Sequence, residues 1–111
     1  MTDLQQRFKG REDLLQSATN VLLIYRESHL NFALCHIKLS DYESAIEILT
    51  MLLHYEPQNV KALYLRGKCF NAVRNFHSAL VDMRLAKSLK PLEQGLFDHY
   101  LEEIDISLKN T

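Results

Sequence analysis

The sequence predicts an all-α protein, a right-handed solenoid of helical hairpins about two and a half units long with a C-terminal capping helix. Three observations predict it. Tyr42 and Phe76, Ala45 and Ala79, Leu49 and Met83, Leu52 and Ala86, and Pro57 and Pro91 are pairs at one constant separation, and a period of ~34 residues marks stacked helix–turn–helix units. No glycine or proline occurs between Gly10 and Pro57. Strict apolar–polar alternation, the mark of half-buried strands, is absent throughout.

The N-terminal segment, residues 1–25, carries the second helix of an incomplete unit, at about residues 9–23. Phe8, Leu15 and Ala18 precede Tyr42, Leu49 and Leu52 by the same interval. No breaker follows it, because Leu23 stands where the later units have proline, so one long helix and a kinked pair are both open. Val21, Leu22, Leu23, Ile24 and Tyr25 then form an apolar run without a partner helix, an open end of the stack.

The first complete unit covers residues 26–59, with helices at 26–39 and 42–55. Ser40 with Glu43 has the spacing of a capping box, and Asp41 is the alternative N-cap. Pro57 stops the second helix because it has no backbone N–H to donate. The second unit covers residues 60–93, with helices at 60–73 and 76–89, capped by Asn59 and Asn75. Short connections make neighbouring helices antiparallel. Ala33 and Gly67, like Ala45 and Ala79, are small where helix axes approach. Phe32, His36, Leu49, Leu52, Phe70, Leu80 and Met83 are expected to fill the space around them. After Pro91 the stripe Leu92, Leu96, Tyr100, Ile104 and Leu108 predicts the capping helix of residues 94–111, which Gly95 weakens in its first turn.

Composition narrows the function. With 13 basic and 14 acidic residues, the chain has no net field to draw nucleic acid or an anionic membrane surface. Its apolar runs are far shorter than the ~20 residues that span a bilayer. The start, Met1-Thr2-Asp3-Leu4, has no secretory pattern, so a cytoplasmic or nuclear location is expected. Cys35 and Cys69 fall at equivalent positions of stacked helices with axes ~8–10 Å apart, and read as buried free thiols rather than a disulfide. His29, His36, His54, His77 and His99 do not have metal-ligand spacing. Three glycines leave no phosphate loop. The acidic groups sit on predicted exposed faces. The expectation is a protein without catalytic residues, metal or cofactor.

Gly67, Phe70, Ala79, Met83, Ala86 and Pro91 resemble the tetratricopeptide-repeat pattern, and Ala33, Ala45, Leu49 and Pro57 follow it more loosely. His29 and Leu63 depart from its first tryptophan, and His36 from its first tyrosine. The strings Ser28-His29-Leu30-Asn31-Phe32-Ala33-Leu34-Cys35-His36-Ile37-Lys38-Leu39 and Lys61-Ala62-Leu63-Tyr64-Leu65-Arg66-Gly67 are similar to the C-terminal tetratricopeptide domain of the FK506-binding immunophilins. That resemblance covers about residues 26–93 and does not include the isomerase domain, so it implies no isomerase activity.

What the resemblance does imply is a concave groove that holds the C-terminal EEVD peptide of a heat-shock chaperone. Lysine, asparagine and arginine donors there clamp two carboxylates. Asn31 matches a clamp asparagine and Lys61 a clamp lysine, while Leu65 stands in place of the arginine. Arg66 is rotated by ~100° from that position and does not substitute. The groove residues expected from the register are Asn31, Leu34, Lys38, Lys61, Leu65 and Lys68. The alternative is a structural module in which Val21, Leu22, Leu23, Ile24 and Tyr25 form an association surface, making a homo-oligomer or completing a partner's helical stack.

Overall fold

The computed structural model describes the backbone of residues 2–90 and 94–110. Expectations for Pro91 and Leu92, and for the side chains of Phe8 and Leu96, lie outside what it describes.

Among the described residues five helices run in order: α1 Asp3–Lys38, α2 Tyr42–Tyr55, α3 Val60–Ala72, α4 Phe76–Leu89 and α5 Gln94–Lys109. Each packs mainly on its neighbours in sequence, α1 on α2, α2 on α3, α3 on α4 and α4 on α5. This is the nearest-neighbour packing of a helical solenoid. Of the two forms open to the N-terminal segment, the single helix is the one formed, and α1 continues for 36 residues. A capping box opens it: the Gln5 N–H donates to Thr2 Oγ1 at 3.3 Å, and the Thr2 N–H donates to Gln5 Oε1 at 3.0 Å. Nothing in the sequence then interrupts it until Leu39. The molecule is consequently long, 71 × 30 × 18 Å.

Both intra-unit turns use the same backbone device. Ser40 and Arg74, one repeat apart, take left-handed φ values of 58° and 65°. The following N–H closes each helix end, Asp41 donating to the His36 carbonyl and Asn75 to the Phe70 carbonyl, both at 2.8 Å. This is the Schellman arrangement, which satisfies carbonyls the helix leaves open. It also decides between the two caps. Ser40 is committed to the turn, and Asp41 caps α2 by accepting from the Ser44 N–H at 3.4 Å. Asn59 caps α3 in the same way, accepting from Ala62 N–H at 3.0 Å. Asn75, expected to do likewise, makes no side-chain cap bond.

The repeated small and large residues build the core. Ala33, Ala45, Leu49, Leu52, Ala79, Met83 and Ala86 are buried. A Cβ on Gly67 would lie 3.1 and 3.2 Å from Met83 Cε and Cγ, so α3 and α4 approach as closely as the register requires. Phe97 of α5 is fully buried and edges onto Tyr64. The stripe predicted for that helix did not include it. Phe32 is a correction: expected in the core, it is 60% exposed. Cys35, also expected to be buried, is exposed, whereas Cys69 is buried; both are free thiols. The reason is shared. α3 lies between α2 and α4, whereas the main packed neighbour of α1 is α2 alone, so the far face of α1 remains open.

Candidate functional site

The site forms where α2 turns into α3. Pro57 ends α2, Glu56 becomes its C-cap, and Asn59 restarts the chain as the N-cap of α3. Arg26 reaches from α1 and forks onto Glu56, with Nε 2.9 and 2.8 Å from the two carboxylate oxygens and Nη2 2.6 Å from Oε1. Asn59 Nδ2 donates to the same carboxylate at 2.9 Å. The Arg26 hydrogen bonds hold the Glu56 carboxyl below its ordinary range, against partial burial, and the Glu56 carboxylate in turn raises the Arg26 guanidinium. A charge-assisted fork of this kind fixes geometry. Here it ties α1 to the turn.

Around this fork lies a cleft of about 620 Å³, bounded by the segment from Glu56 to Lys61 together with Arg26 and Lys90. Arg26 is neutralised by Glu56. Lys61 and Lys90 are exposed on the cleft, and neither makes an ion pair with another described residue. The cleft therefore presents two uncommitted ammonium groups beside the first turn of α3, where backbone N–H groups also favour negative charge.

The remaining groove candidates separate. Asn31, Leu34 and Lys38 lie on one stripe of α1, with Asn31 and Lys38 exposed and Leu34 half-buried against the core. Lys68 is exposed and lies over two aromatic rings, its Nζ 5.5 Å from the Tyr64 centroid and 5.6 Å from that of Tyr100. Burial, and then the Tyr100 hydroxyl, raise the Tyr64 phenol above its ordinary value. Leu65 is a correction, because it is a core residue only 7% exposed and offers a groove little surface. Asn31, its equivalent one repeat earlier, is exposed for the reason that exposes Phe32 and Cys35. Arg66 points away from this surface and forks onto Asp82, with Nε–Oδ2 at 2.7 Å and Nη2–Oδ1 at 2.8 Å.

Of the association residues, Val21, Leu22, Leu23 and Ile24 are exposed, while Tyr25 is half-buried and edges onto Tyr55. Among the described residues there is no group of three or more histidine, cysteine or acidic side chains placed to hold a metal ion. Among them, too, no helix is long and apolar enough to cross a membrane. Sequence reasoning missed Lys90, Tyr64 and Tyr100. The Tyr64–Lys68 pair was readable as an i, i+4 neighbour. Lys90 and Tyr100 reach their places only through the packing of later helices.

Residues 26–75 match the family of the Fis1 C-terminal tetratricopeptide repeat. This segment thus resembles a tetratricopeptide repeat. The chain is also similar to parts of larger proteins. It is 39% identical over 64 residues to the human peptidyl-prolyl cis-trans isomerase FKBP4, a match covering 58% of this chain and 14% of that protein. It is 38% identical over 64 residues to the Drosophila melanogaster FK506-binding protein 59, covering 58% of this chain and 15% of the relative. Against the Arabidopsis thaliana outer envelope protein 61 the identity is 32% over 69 residues, 62% of this chain and 12% of that protein. The chain thus corresponds to a small part of these relatives. The repeats and these relatives make it a protein-interaction module.

Proposed function

We propose that the tetratricopeptide stack is an adaptor that receives the C-terminal peptide of a partner protein, with the terminal carboxylates entering the cleft between α1 and the α2–α3 turn. The observation that carries this reading is the placing of Lys61 and Lys90 on one cleft with no acidic partner of their own among the described residues. Two carboxylates need two donors, and a cleft whose wall at the α2–α3 turn is held by a rigid fork loses little freedom on binding. Lys61 is also the residue that the resemblance to the immunophilin domain matches to a clamp lysine. Lys68 over its tyrosines, with Asn31 and Lys38 on α1, would line the path of the preceding peptide residues.

The specific form is a co-chaperone-type interaction with an EEVD-ending heat-shock chaperone, through an incomplete clamp in which Leu65 stands in place of the arginine. Isothermal titration with a peptide ending in EEVD, and with the same peptide amidated at its C-terminus, tests it. The acid peptide is expected to bind and the amide to bind at least ~10-fold more weakly, the factor that ~1.4 kcal/mol represents. Lys61→Ala should have a comparable effect. Absence of heat at millimolar acid peptide would remove the reading.

A further inference from the structure

We infer that Lys68, propped on Tyr64 and Tyr100, is a second anion subsite, which selects partner tails that carry an acidic side chain three residues before the C-terminal one. The inference rests on the reading of the cleft at Lys61 and Lys90 as the seat of the terminal carboxylates, and it adds which tails that cleft accepts.

The amine is held in place by aromatic faces. Lys68 is exposed, and its Nζ lies 5.5 Å from the centre of the Tyr64 ring and 5.6 Å from that of Tyr100. Both distances are within the ~6 Å over which a ring face attracts a cation. The two rings stand edge to face, 5.3 Å apart at 74°, so the ammonium is close to both. Tyr64 in turn packs against Phe97, a fully buried side chain of α5. A free lysine has much rotamer freedom to lose when it grips an anion; one already resting on two packed rings has less.

This amine has no acid of its own. Lys68 makes no ion pair with another described residue. On α5, Asp98 pairs with Lys87, and Glu103 lies 3.5 Å from His99. Glu102 and Asp105 are turned about 200° and about 140° around that helix from Tyr100. Packing does not call for a cation here either, because the counterpart of Lys68 one repeat earlier is Leu34, half-buried against the core. The rings draw the charge to this place, and its N–H donors are left without an acidic partner.

The separation from Lys61 sets the spacing. Seven residues along α3 are ~10.5 Å and about 700° of rotation, so the two amines leave one face of the helix, ~20° apart. An extended peptide advances ~3.3 Å per residue. A tail whose last residue is held at Lys61 therefore brings the third residue before it to Lys68. In a tail ending EEVD that residue is the first glutamate.

Titration of peptides ending in EEVD and in QEVD, both with a free C-terminus, against the parent chain and Lys68→Met tests the subsite. The parent should prefer the EEVD peptide by ~5-fold, the upper end for an exposed ion pair. Lys68→Met, which keeps an apolar stem over the rings, should bind both peptides equally, at the parent's affinity for QEVD. A parent chain that does not distinguish the two, or a Lys68→Met chain that still does, would overturn the subsite. Lys61→Ala should weaken both peptides alike and keep the ~5-fold preference. The amidated EEVD peptide separates the two readings: weaker binding of the amide without any preference for EEVD over QEVD keeps the cleft and removes the subsite. A Lys68-dependent preference that amidation leaves untouched keeps the subsite and removes the cleft. Failure of either acid peptide to bind at millimolar concentration would remove both.

Discussion

Arg66 and Asp82 form a two-toothed ion pair between α3 and α4, with the Asp82 side chain only 3% exposed. The pair explains a feature of the groove as well as of the fold. The guanidinium next to Leu65 is held by a buried carboxylate on the adjacent helix, so it does not reach across to ligand carboxylates.

Asp82→Ala should be costly because it leaves a guanidinium in a site built for its partner. The expected loss is about 3 kcal/mol, at the lower end for breaking a buried pair because Arg66 keeps some access to water. Replacing both charged groups by apolar ones, Arg66→Met with Asp82→Leu, should recover most of it. Urea unfolding of the single and double variants measures both, and a double variant no better than Asp82→Ala would mean that the loss does not come from a stranded guanidinium.

The fork of Arg26 on Glu56 predicts a pH dependence. The carboxyl of Glu56 titrates below its ordinary 4.5 in the folded chain, chiefly through the Arg26 hydrogen bonds. Near that pH the unfolded chain binds more protons than the folded one, so stability rises with pH there. The contribution is fully present above the ordinary value of 4.5 and is lost as the pH falls through the lower folded value. Glu56→Gln should flatten the acid limb of a plot of Tm against pH, with Asp41, whose carboxyl is also lowered, chiefly by Ser44, supplying part of the slope that remains.

Much of the fold was legible because helix ends and small-residue positions are local facts. Pro57, Asn59 and Gly67 do in the structure what their types require. Burial was less legible, since register makes Asn31 equivalent to Leu65, Phe32 to Arg66 and Cys35 to Cys69, yet each pair differs in surroundings. Equivalence in a repeat fixes the direction of a side chain; the unit on the other side decides whether it meets protein or water. Lys90 illustrates the same limit at the cleft, where it joins Lys61 only after α4 has packed on α3.

The two cysteines should therefore react at different rates. Burial raises the Cys69 thiol to about 11, the nearby Lys68 charge opposing this only in part, and the thiolate is the reactive form. Cys35 is exposed. Titration of the native protein with an aromatic disulfide reagent should show one fast thiol per chain, lost in Cys35→Ser. The second should appear only on unfolding, and equal rates for both would contradict the packing of α3.

Gly10 and Gly67 give a last, paired expectation, because alanine meets opposite surroundings at the two positions. A Cβ at Gly10 has nothing within 4 Å, and alanine there gains the ~0.5–1 kcal/mol by which it exceeds glycine inside a helix. The gain should appear in amide exchange of the arm more than in the global Tm, since arm and core are coupled weakly within one chain. At Gly67 the same gain is opposed by Met83, whose Cγ and Cε stand 3.2 and 3.1 Å from the new atom. The thioether end moves readily, but Cγ moves only with the side chain's first torsions. Gly67→Ala is therefore expected within about 1 kcal/mol of the parent. Gly67→Val, which adds two further methyl groups at the same contact, should lose ~1–3 kcal/mol relative to the alanine variant. Thermal melts of the three chains separate these outcomes, and a Gly67→Val protein as stable as Gly67→Ala would show that α3 and α4 are not held at this distance.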